Sequence, residues 1–326
     1  MLIIRTPFRV SFFGGGTDYK EYYSRFGGSV ISATIDKYCY VSVRHLPPFF
    51  EYQNQFTYSR IERFNSVDEV EHPLVRETLR YIPVEQIQIA YDADLSACSG
   101  IGSSSAFAVG LVHALHAMRN ENPDKMTIAK EAIHIERDLC REAGGVQDQL
   151  ASAFGGFNRL EFSDAGFSVK PLTFAPERLR QFQSSLVLMF TGFTHFSGQV
   201  AREQQKNIPA TLSQLHRMKQ MVYEAEQLLR DGEIDDVGRL LDEGWRLKRS
   251  LSSAITNSKI DEMYECAKAH GALGGKLLGA GGGGFMLLYV PIQRQASLQR
   301  AFPECKFVPF SFERSGTKIL YENETM

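Results

Sequence analysis

A segment of small residues and serines near the middle of the chain has the composition of an anion-binding loop. The sequence SACSGIGSSSA occupies residues 96–106, between a predicted strand and a predicted helix. Glycines such as Gly100 and Gly102 let backbone N–H groups approach an anion, and the helix N-terminus adds a favourable dipole. The serine hydroxyls could also bind a magnesium ion. The segment is therefore a candidate phosphate loop; the alternative is a plain turn in which Ser103 or Ser104 caps the helix.

This segment lacks the two common nucleotide-binding motifs. No Gly-Lys-Ser or Gly-Lys-Thr follows its glycines, so it is not a Walker A loop. The Gly-x-Gly-x-x-Gly fingerprint is also absent, and the segment does not open a regular βαβ unit. A nucleotide bound here would need a phosphate loop of another type.

A second glycine-rich segment lies near the C-terminus. The sequence GGKLLGAGGGGFMLLYV occupies residues 274–290 and has seven glycines in its first eleven residues. Each glycine costs backbone entropy on folding, and the run leads directly into a predicted strand. A tight turn would need one or two glycines, so we expect this loop to pass very close to a ligand or to another backbone.

An acidic residue falls on the apolar face of a predicted helix. Glu136 lies at helical spacing from the apolar residues Ala129, Ala132, Ile133, Leu139 and Cys140. A carboxylate on such a face needs a partner or a metal ion, because burying an unpaired charge is costly. The alternative is a residue at the edge of the face whose carboxylate reaches solvent.

Two aspartates follow glycines. Asp18 comes after Gly14–Gly16 and Thr17, and Asp148 comes after the pair Gly144–Gly145, at the start of a predicted short helix. Asp148 could be a general base delivered by a turn. Each aspartate could equally cap a helix N-terminus.

The elements that position these residues are a mixture of strands and helices without a strict βαβ rhythm. We predict strands over 2–12, 28–44, 85–91, 157–162, 167–173, 184–192, 284–290, 306–312 and 317–321. We predict helices over 103–118, 127–141 (capped by Gly144–Gly145), 148–154, 198–230, 234–253 and 258–270. A boundary near 175–185 divides the chain into domains 1–180 and 181–326. The predicted class is α+β.

Composition excludes several functional classes. The 326 residues are 43% hydrophobic and 23% charged, as in soluble globular proteins, and carry a net charge of −2. That charge gives no basis for binding nucleic acid or an anionic membrane. The five cysteines are scattered without a CxxC pair, which favours a reducing compartment over disulfides or zinc. Neither a signal peptide nor an apolar run of membrane-spanning length is evident, so we expect a cytoplasmic protein; oligomeric state stays open.

Taken in order, the segments resemble the GHMP small-molecule kinases over nearly the whole chain. RTPFRVSFFGGGTDY (5–19), SGIGSSSA (99–106), IERDLCREAGGVQDQ (135–149) and KLLGAGGGGF (276–285) match that family's motifs. The resemblance implies a two-domain α+β GHMP kinase fold, with an N-terminal domain like domain 2 of ribosomal protein S5 and a ferredoxin-like C-terminal domain. It also implies ATP and Mg²⁺.

The resemblance assigns roles residue by residue. Asp148 would be the catalytic base, with Arg9 beside it to hold it ionised. Ser104 and Glu136 would bind Mg²⁺. The ATP phosphates would be wrapped by Ser99, Gly100, Ile101, Gly102, Ser103, Ser104 and Ser105. The sugar would be contacted by Asp18, with Gly15, Gly16, Thr17, Gly281 and Gly282 around it.

Within the family the chain looks most like the D-glycero-D-manno-heptose 7-phosphate 1-kinases. GGGTD (14–18), GGKLLGAGGGG (274–284) and GWRLKRSLSSAITN (244–257) carry this likeness. It implies phosphorylation of the anomeric hydroxyl of a heptose 7-phosphate to the 1,7-bisphosphate, for nucleotide-activated heptose in bacterial surface polysaccharides. The alternatives are a kinase for a fucose- or galactose-like sugar, a non-catalytic sensor, and a decarboxylase whose hydroxy-acid site is not identifiable. An intact base and metal pair argue against the sensor.

Two departures bear on the substrate. Many family members have a proline in the middle motif, which this chain lacks. Related kinases often carry an arginine where TGFTHFSG (191–198) places His195. A histidine there would hold a substrate phosphate weakly and in a pH-sensitive way. Other candidates for that phosphate, by proximity in sequence, are Arg25, Lys37 and Arg44.

Overall fold

The chain folds around two β-sheets. The structure is a computed structural model that describes residues 1–97, 99–193 and 197–323. In these ranges the strands are β1 (Leu2–Phe13), β2 (Gly28–His45), β3 (Asn54–Thr57), β4 (Ile61–Phe64), β5 (Ile87–Ala93), β6 (Phe157–Ser163), β7 (Gly166–Pro171), β8 (Leu186–Phe190), β9 (Gly274–Leu277), β10 (Phe285–Tyr289), β11 (Lys306–Val308) and β12 (Lys318–Glu322). The α-helices are α1 (Lys20–Phe26), α2 (Pro73–Tyr81), α3 (Ser103–Met118), α4 (Lys125–Ile133), α5 (Gln147–Phe154), α6 (Pro176–Ser184), α7 (Ser197–Asn207), α8 (Leu212–Arg230), α9 (Ile234–Ser250), α10 (Ser258–Ala269) and α11 (Ile292–Ala301).

The first sheet has eight strands and is almost entirely built by the N-terminal half. Its order is β12-β1-β2-β5-β3-β4, and β6 pairs with both β2 and β7. The 18-residue strand β2 pairs with β6 through its first half and with β5 through its second half. The last strand, β12, returns to pair with β1. The C-terminal residues thus complete the first sheet, and the domain boundary near residue 180 stays a prediction.

The second sheet is antiparallel and belongs to the C-terminal half. Its order is β11-β8-β10-β9. Counted within this half, the strands run fourth, first, third and second, which is the order of a ferredoxin-like domain. The mixture of antiparallel sheets and helices confirms the predicted α+β class.

Helix α3 holds the phosphate-loop segment rigidly against the first sheet. Twelve of its sixteen residues are buried, and it packs against β1, β2, α4 and α5. Gly110 permits this close approach, since a Cβ there would lie 2.9 Å from Thr6 Oγ1. A helix that is apolar on all sides must be enclosed by other elements. Its first turn, which follows the loop, is therefore fixed in place.

Three apolar clusters join the layers. The first lies between the first sheet and helices α2 to α5, and it includes Ile4 and Leu111. The second lies between the first sheet and the C-terminal half, and it includes Phe12 and Leu287. The third, which includes Trp245, covers the other face of the second sheet. The second cluster fixes the two halves relative to each other.

Several predicted boundaries are wrong. The helix predicted over 127–141 is α until Ile133, continues as a π-helical segment over His134–Leu139, and ends at Cys140. Gly144–Gly145 is therefore not its cap but part of the following loop. The helix predicted over 198–230 is divided into α7 and α8 by a 3₁₀ turn, Ile208–Ala210, because Pro209 cannot donate a backbone hydrogen bond.

Other elements escaped prediction. The segment predicted as a boundary forms α6, and the strand predicted over 306–312 ends at Val308. Short elements without long apolar periodicity were not predicted at all, namely α1, α2, α11, β3, β4 and β9. Among the described residues, no helix has the length and apolar character needed to cross a bilayer.

Candidate active site

A cavity of about 600 Å³ lies where the two glycine-rich segments meet. Its walls come from the turn after β1, the start of α3, the π-helical segment with the loop that follows it, the start of α5, and the turn after β9. Most of the residues that the sequence singled out line it, namely Arg9, Gly15, Gly16, Asp18, Gly100, Gly102, Ser103, Ser104, Ser105, Glu136 and Asp148. The fold thus brings together residues that are far apart in sequence.

Asp148 and Arg9 form a two-pronged ion pair at this cavity. Arg9 Nε donates to Asp148 Oδ1 at 2.7 Å, and Nη2 donates to Oδ2 at 2.6 Å. Arg9 Nη1 donates to the carbonyl of Gly100 at 2.6 Å. Val146 precedes the helix as its cap residue, so Asp148 is not an N-cap. One buried guanidinium therefore orients the carboxylate and ties it to the phosphate-loop segment.

Helix α3 begins directly after the phosphate-loop segment. Gly102 precedes it in a left-handed conformation, with φ of 77°, and none of the side chains that the structure describes caps the helix. The alternative that Ser103 or Ser104 is a simple cap is therefore wrong. Ser99 and Ile101 are buried and do not line the cavity, and the Ile101 carbonyl accepts from Arg9 N at 3.1 Å. The first-turn N–H groups of α3 can bind an anion.

Glu136 is buried and pairs with a serine of that loop. Glu136 is 1% exposed, so its carboxylate does not reach solvent and that alternative is wrong. Ser104 Oγ donates to Glu136 Oε1 at 3.1 Å, and Gln149 Nε2 donates to Oε2 at 2.5 Å. A hydroxyl and a carboxylate are oxygen ligands of the kind that Mg²⁺ takes. Among the described residues, no group of three or more His, Cys, Asp or Glu side chains could hold a metal ion.

Asp18 is held on the wall beside Asp148. Its Oδ1 accepts from Gly16 N at 2.8 Å, and its Oδ2 accepts from Gln147 Nε2 at 2.9 Å. Burial, and secondly the charge of Asp148, raise the pKa of Asp18. Thr17 does not line the cavity, because its hydroxyl donates to the carbonyls of Gly14 and Ser29 instead. Asp18 is thus fixed with respect to Asp148.

The C-terminal glycine segment packs against the backbone of the phosphate-loop segment. A Cβ on Gly100 would lie 2.5 Å from the carbonyl oxygen of Leu278, and one on Gly279 would lie 2.6 Å from the Gly100 Cα. Gly281 and Gly282 do not line the cavity; they pack against Ile255, whose carbonyl accepts from Gly282 N at 2.9 Å. The cavity is lined by Gly279 and Ala280 instead.

Two buried lysines of the site were missed by the sequence reasoning. Lys248 Nζ donates to the carbonyls of Leu277 and Gly279, at 2.8 and 2.6 Å, and so fixes the turn that lines the cavity. Lys276 Nζ donates to the Phe12 carbonyl at 3.1 Å. Lys248 continues the apolar face of α9 that includes Trp245. A charged residue on an apolar helical face, the pattern that singles out Glu136, singles out Lys248 as well.

Burial of the Lys276 ammonium makes stability depend on pH. Burial, with Arg9 nearby, lowers the pKa of Lys276 from 10.5 to about 7. Between pH 7 and pH 10.5 the unfolded chain binds more protons than the folded chain does, so the free energy of unfolding rises with pH. Between pH 7 and pH 9 we expect the free energy of unfolding of the wild type to rise by about 2 kcal/mol relative to that of Lys276→Met. Urea unfolding at both pH values measures this. For the control Lys20→Met, at an exposed position, the difference from the wild type should not change with pH. A difference between wild type and Lys276→Met that does not change with pH would contradict the effect of burial on Lys276.

One part of the cavity wall is aromatic. Phe56 stacks on Tyr58 at 4.7 Å between centroids, and the His72 ring meets Phe107 edge-on at 5.9 Å. Burial lowers the pKa of His72. Tyr91 also lines this wall and lies 4.6 Å from Phe107. A planar, uncharged ring system would suit this surface.

The cations suggested for a substrate phosphate lie elsewhere. Arg25 is exposed over the Phe26 ring, Lys37 pairs with Asp36, and Arg44 bonds to Gln88. None of these three lines the cavity. His195 lies outside the described residues.

Comparison with known proteins places this chain in a family. The family model for the GHMP kinases N terminal domain matches residues 70–156, and that for GHMP kinases C terminal matches residues 225–305. A D-glycero-alpha-D-manno-heptose 7-phosphate kinase of Campylobacter jejuni is 28% identical over 331 residues, which cover 96% of this chain and 97% of that protein. A bifunctional fucokinase/GDP-fucose pyrophosphorylase of Arabidopsis thaliana is 29% identical over 58% of this chain and 18% of that protein.

A solved structure shares the whole fold. The crystal structure of a D-glycero-D-manno-heptose 1-phosphate kinase from Bacteroides thetaiotaomicron gives a TM-score of 0.81, covering 99% of this chain and 100% of that one at 24% identity. This likeness concerns the fold. The two family matches, one in each half, and the relative that aligns along the whole length lead to one conclusion: the chain belongs to the GHMP kinases.

Proposed function

We propose that this protein transfers the γ-phosphoryl group of ATP to the anomeric hydroxyl of a heptose 7-phosphate, giving the 1,7-bisphosphate. The single observation that carries the proposal is the Asp148–Arg9 pair, bonded to the carbonyl of Gly100 beside the uncapped start of α3. The heptose phosphate as substrate is supported by the relative from Campylobacter jejuni, which aligns from end to end.

In this mechanism the chain mainly positions the reactants. The first-turn N–H groups of α3 and the loop before it would hold the ATP phosphates, and the aromatic wall would take the adenine. Asp148 would accept the proton of the anomeric hydroxyl while the hydroxyl oxygen attacks the γ-phosphorus and the bond between that phosphorus and the ADP oxygen breaks. Arg9 keeps the carboxylate aimed at the cavity, and Asp18 would bind a sugar hydroxyl.

Ser104 and Glu136 would hold the Mg²⁺ that accompanies ATP. Their oxygens face the cavity beside the phosphate-loop segment, and the fit is that of a hard cation with few protein ligands. The ion would neutralise charge on the phosphates during transfer. Gln149 fixes the second carboxylate oxygen. The Mg²⁺ ligands Ser104 and Glu136 are part of the proposal. A cytoplasmic location, where ATP is available, is also part of it.

The metal assignment predicts a shifted Mg²⁺ requirement. Glu136→Gln removes one anionic ligand, so we expect the Mg²⁺ concentration for half-maximal activity to rise by about 10-fold or more. The measurement is a Mg²⁺ titration of ADP release at fixed ATP. Asp138→Asn, an exposed carboxylate on the same helical segment, is the matched control and should leave the requirement unchanged. An unchanged requirement in Glu136→Gln would give that residue a structural role.

The activity is tested by a coupled assay of ADP release over a panel of sugars. The panel should contain heptose 7-phosphate, the unphosphorylated heptose, L-fucose and galactose. We expect the highest kcat/KM with heptose 7-phosphate. Preferred turnover of L-fucose would favour the alternative that the Arabidopsis thaliana relative suggests. No turnover of any sugar would overturn the kinase proposal and favour a sensor.

A further inference from the structure

We infer that Arg137 binds the phosphate group at the non-reacting end of the substrate and so selects a sugar phosphate over a free sugar. The inference rests on the proposed function, because it assigns a group of that substrate. Arg137 would then be a specificity-determining residue, distinct from the Arg9–Asp148 pair at the reacting hydroxyl.

The placement of Arg137 follows from the π-helical segment and the loop after it. Arg137 follows the buried Glu136 in this segment, and both residues line the cavity. Arg137 Nε donates to the Gly145 carbonyl at 3.1 Å, and Nη1 donates to the Glu142 carbonyl at 3.3 Å. These two bonds hold the guanidinium in one orientation. A π-helical turn is a rare structure that often marks a functional site.

The loop places this guanidinium on the Asp18 side of the cavity. Gly145, which accepts from Arg137, is in direct contact with Asp18, since a Cβ there would lie 1.8 Å from Asp18 Oδ2. Asp18 in turn is bonded to Gln147, the residue before Asp148. The contacts therefore run from Arg137 through Gly145 to Asp18, the residue proposed to bind a sugar hydroxyl, and from Asp18 to the helix start that carries Asp148. A substrate spanning them would carry an anion at one end and the reacting hydroxyl at the other.

Arg137 differs from the other cations that line the cavity. Within the described residues these are Arg9, Arg137, Lys248 and Lys276, apart from the histidine of the aromatic wall. Arg9 is paired with Asp148, and Lys248 and Lys276 are buried against backbone carbonyls. Arg137 is only half-buried, and no described carboxylate oxygen lies within 4.0 Å of its side-chain nitrogens. The Glu142 carboxylate also lines the cavity and interacts with Arg137 at longer range: burial raises the pKa of Glu142, and the charge of Arg137 opposes that rise. The charge of Arg137 is therefore available to a ligand.

The loop also leaves room beside the free end of the guanidinium. Arg137 Nη2 makes no hydrogen bond within the described part of the chain. Gly144 lies next to it with φ of 150°, and a Cβ at that position would lie only 3.2 Å from Nη2. A side chain there would crowd the space that a phosphate would occupy. The guanidinium fork matches a phosphate with two parallel N–H groups, which a lysine cannot do.

The test compares one substrate with and without its phosphate. Steady-state kcat and KM are measured with heptose 7-phosphate and with unphosphorylated heptose, for the wild type, Arg137→Met and Arg137→Lys. We expect Arg137→Met to raise KM for heptose 7-phosphate by about 10- to 100-fold, since a hydrogen-bonded charge is lost. The kcat for both substrates and the KM for free heptose should change less than about 3-fold. Arg137→Lys should recover part of the loss, and Arg25→Met, an exposed arginine outside the cavity, is the control.

Calorimetric titration without ATP separates this inference from the proposed function. The wild type should bind heptose 7-phosphate more tightly than heptose, and Arg137→Met should abolish that difference while unfolding at the wild-type temperature. An equal loss of affinity for both sugars, or no loss for either, would overturn the role of Arg137. If the wild type binds heptose 7-phosphate through Arg137 but does not turn it over, the proposed function fails and the inference stands. If the wild type binds both sugars equally, the inference fails whatever the turnover.

Discussion

Replacing Asp148 with asparagine is expected to lower kcat by about 100- to 10,000-fold. The substitution keeps the shape of the side chain but removes its ability to take a proton from the attacking hydroxyl. One amide oxygen can still accept from Arg9, so the loop and helix positions should persist. The affinity for ATP should therefore change little. Single-turnover ADP release and a separate ATP titration measure the two effects.

The same substitution also leaves a buried cation less well compensated. Arg9 is 3% exposed, and removing the charge of its partner should lower the free energy of unfolding. Assays must therefore run well below the unfolding temperature of the variant, which circular dichroism gives. Asp164→Asn, an exposed carboxylate in the turn between β6 and β7, is the control for loss of a charge alone. Wild-type kcat in Asp148→Asn would remove that residue from the proposed mechanism.

The second large effect is expected at the contact between the two glycine segments. Gly100 has φ of 84°, and a Cβ there would lie 2.5 Å from a backbone carbonyl oxygen, which no rotamer change can relieve. We expect Gly100→Ala to lower the free energy of unfolding by about 2 kcal/mol or more. Because the loop or its partner must move, kcat/KM should fall by about 100-fold, as it does when reacting groups are displaced by about 1 Å.

Gly192 supplies a matched control for the backbone conformation. It has φ of 81°, but a Cβ there would have no heavy atom of the described residues within 4 Å. Gly192→Ala should therefore show only the cost of a left-handed alanine, about 1 kcal/mol, with kcat/KM near that of the wild type. Urea unfolding and ADP release on both variants separate the clash from the strain. Equal effects at the two positions would show that the contact with Leu278 is not important.

Local patterns predicted much of the fold because they depend on neighbours in sequence. The apolar periodicity of 103–118 predicted α3 correctly, and alternating β-branched residues predicted β1 to within one residue. The same kind of pattern placed Glu136 on a buried face, where the structure has it. The π-helical turn around Glu136 was not predicted. Spacing typical of an α-helix placed Leu139 on the same apolar face, but Leu139 is 37% exposed, because i→i+5 pairing changes which residues share a face.

Sequence patterns alone predict that glycines pass close to another group, that a carboxylate is buried in a helix, and that the motifs resemble those of a kinase family. The packing of the folded chain shows what each of these features contacts. It shows that Val146 and not Asp148 is the cap residue of α5, and it places Arg9, 139 residues away in sequence, against Asp148. In the folded chain Gly281 and Gly282 pack against Ile255, and Arg137 donates to Gly145, which contacts Asp18. The physical reason is that a residue's conformation follows from short-range sterics and periodicity, whereas its partners depend on how distant strands and helices pack.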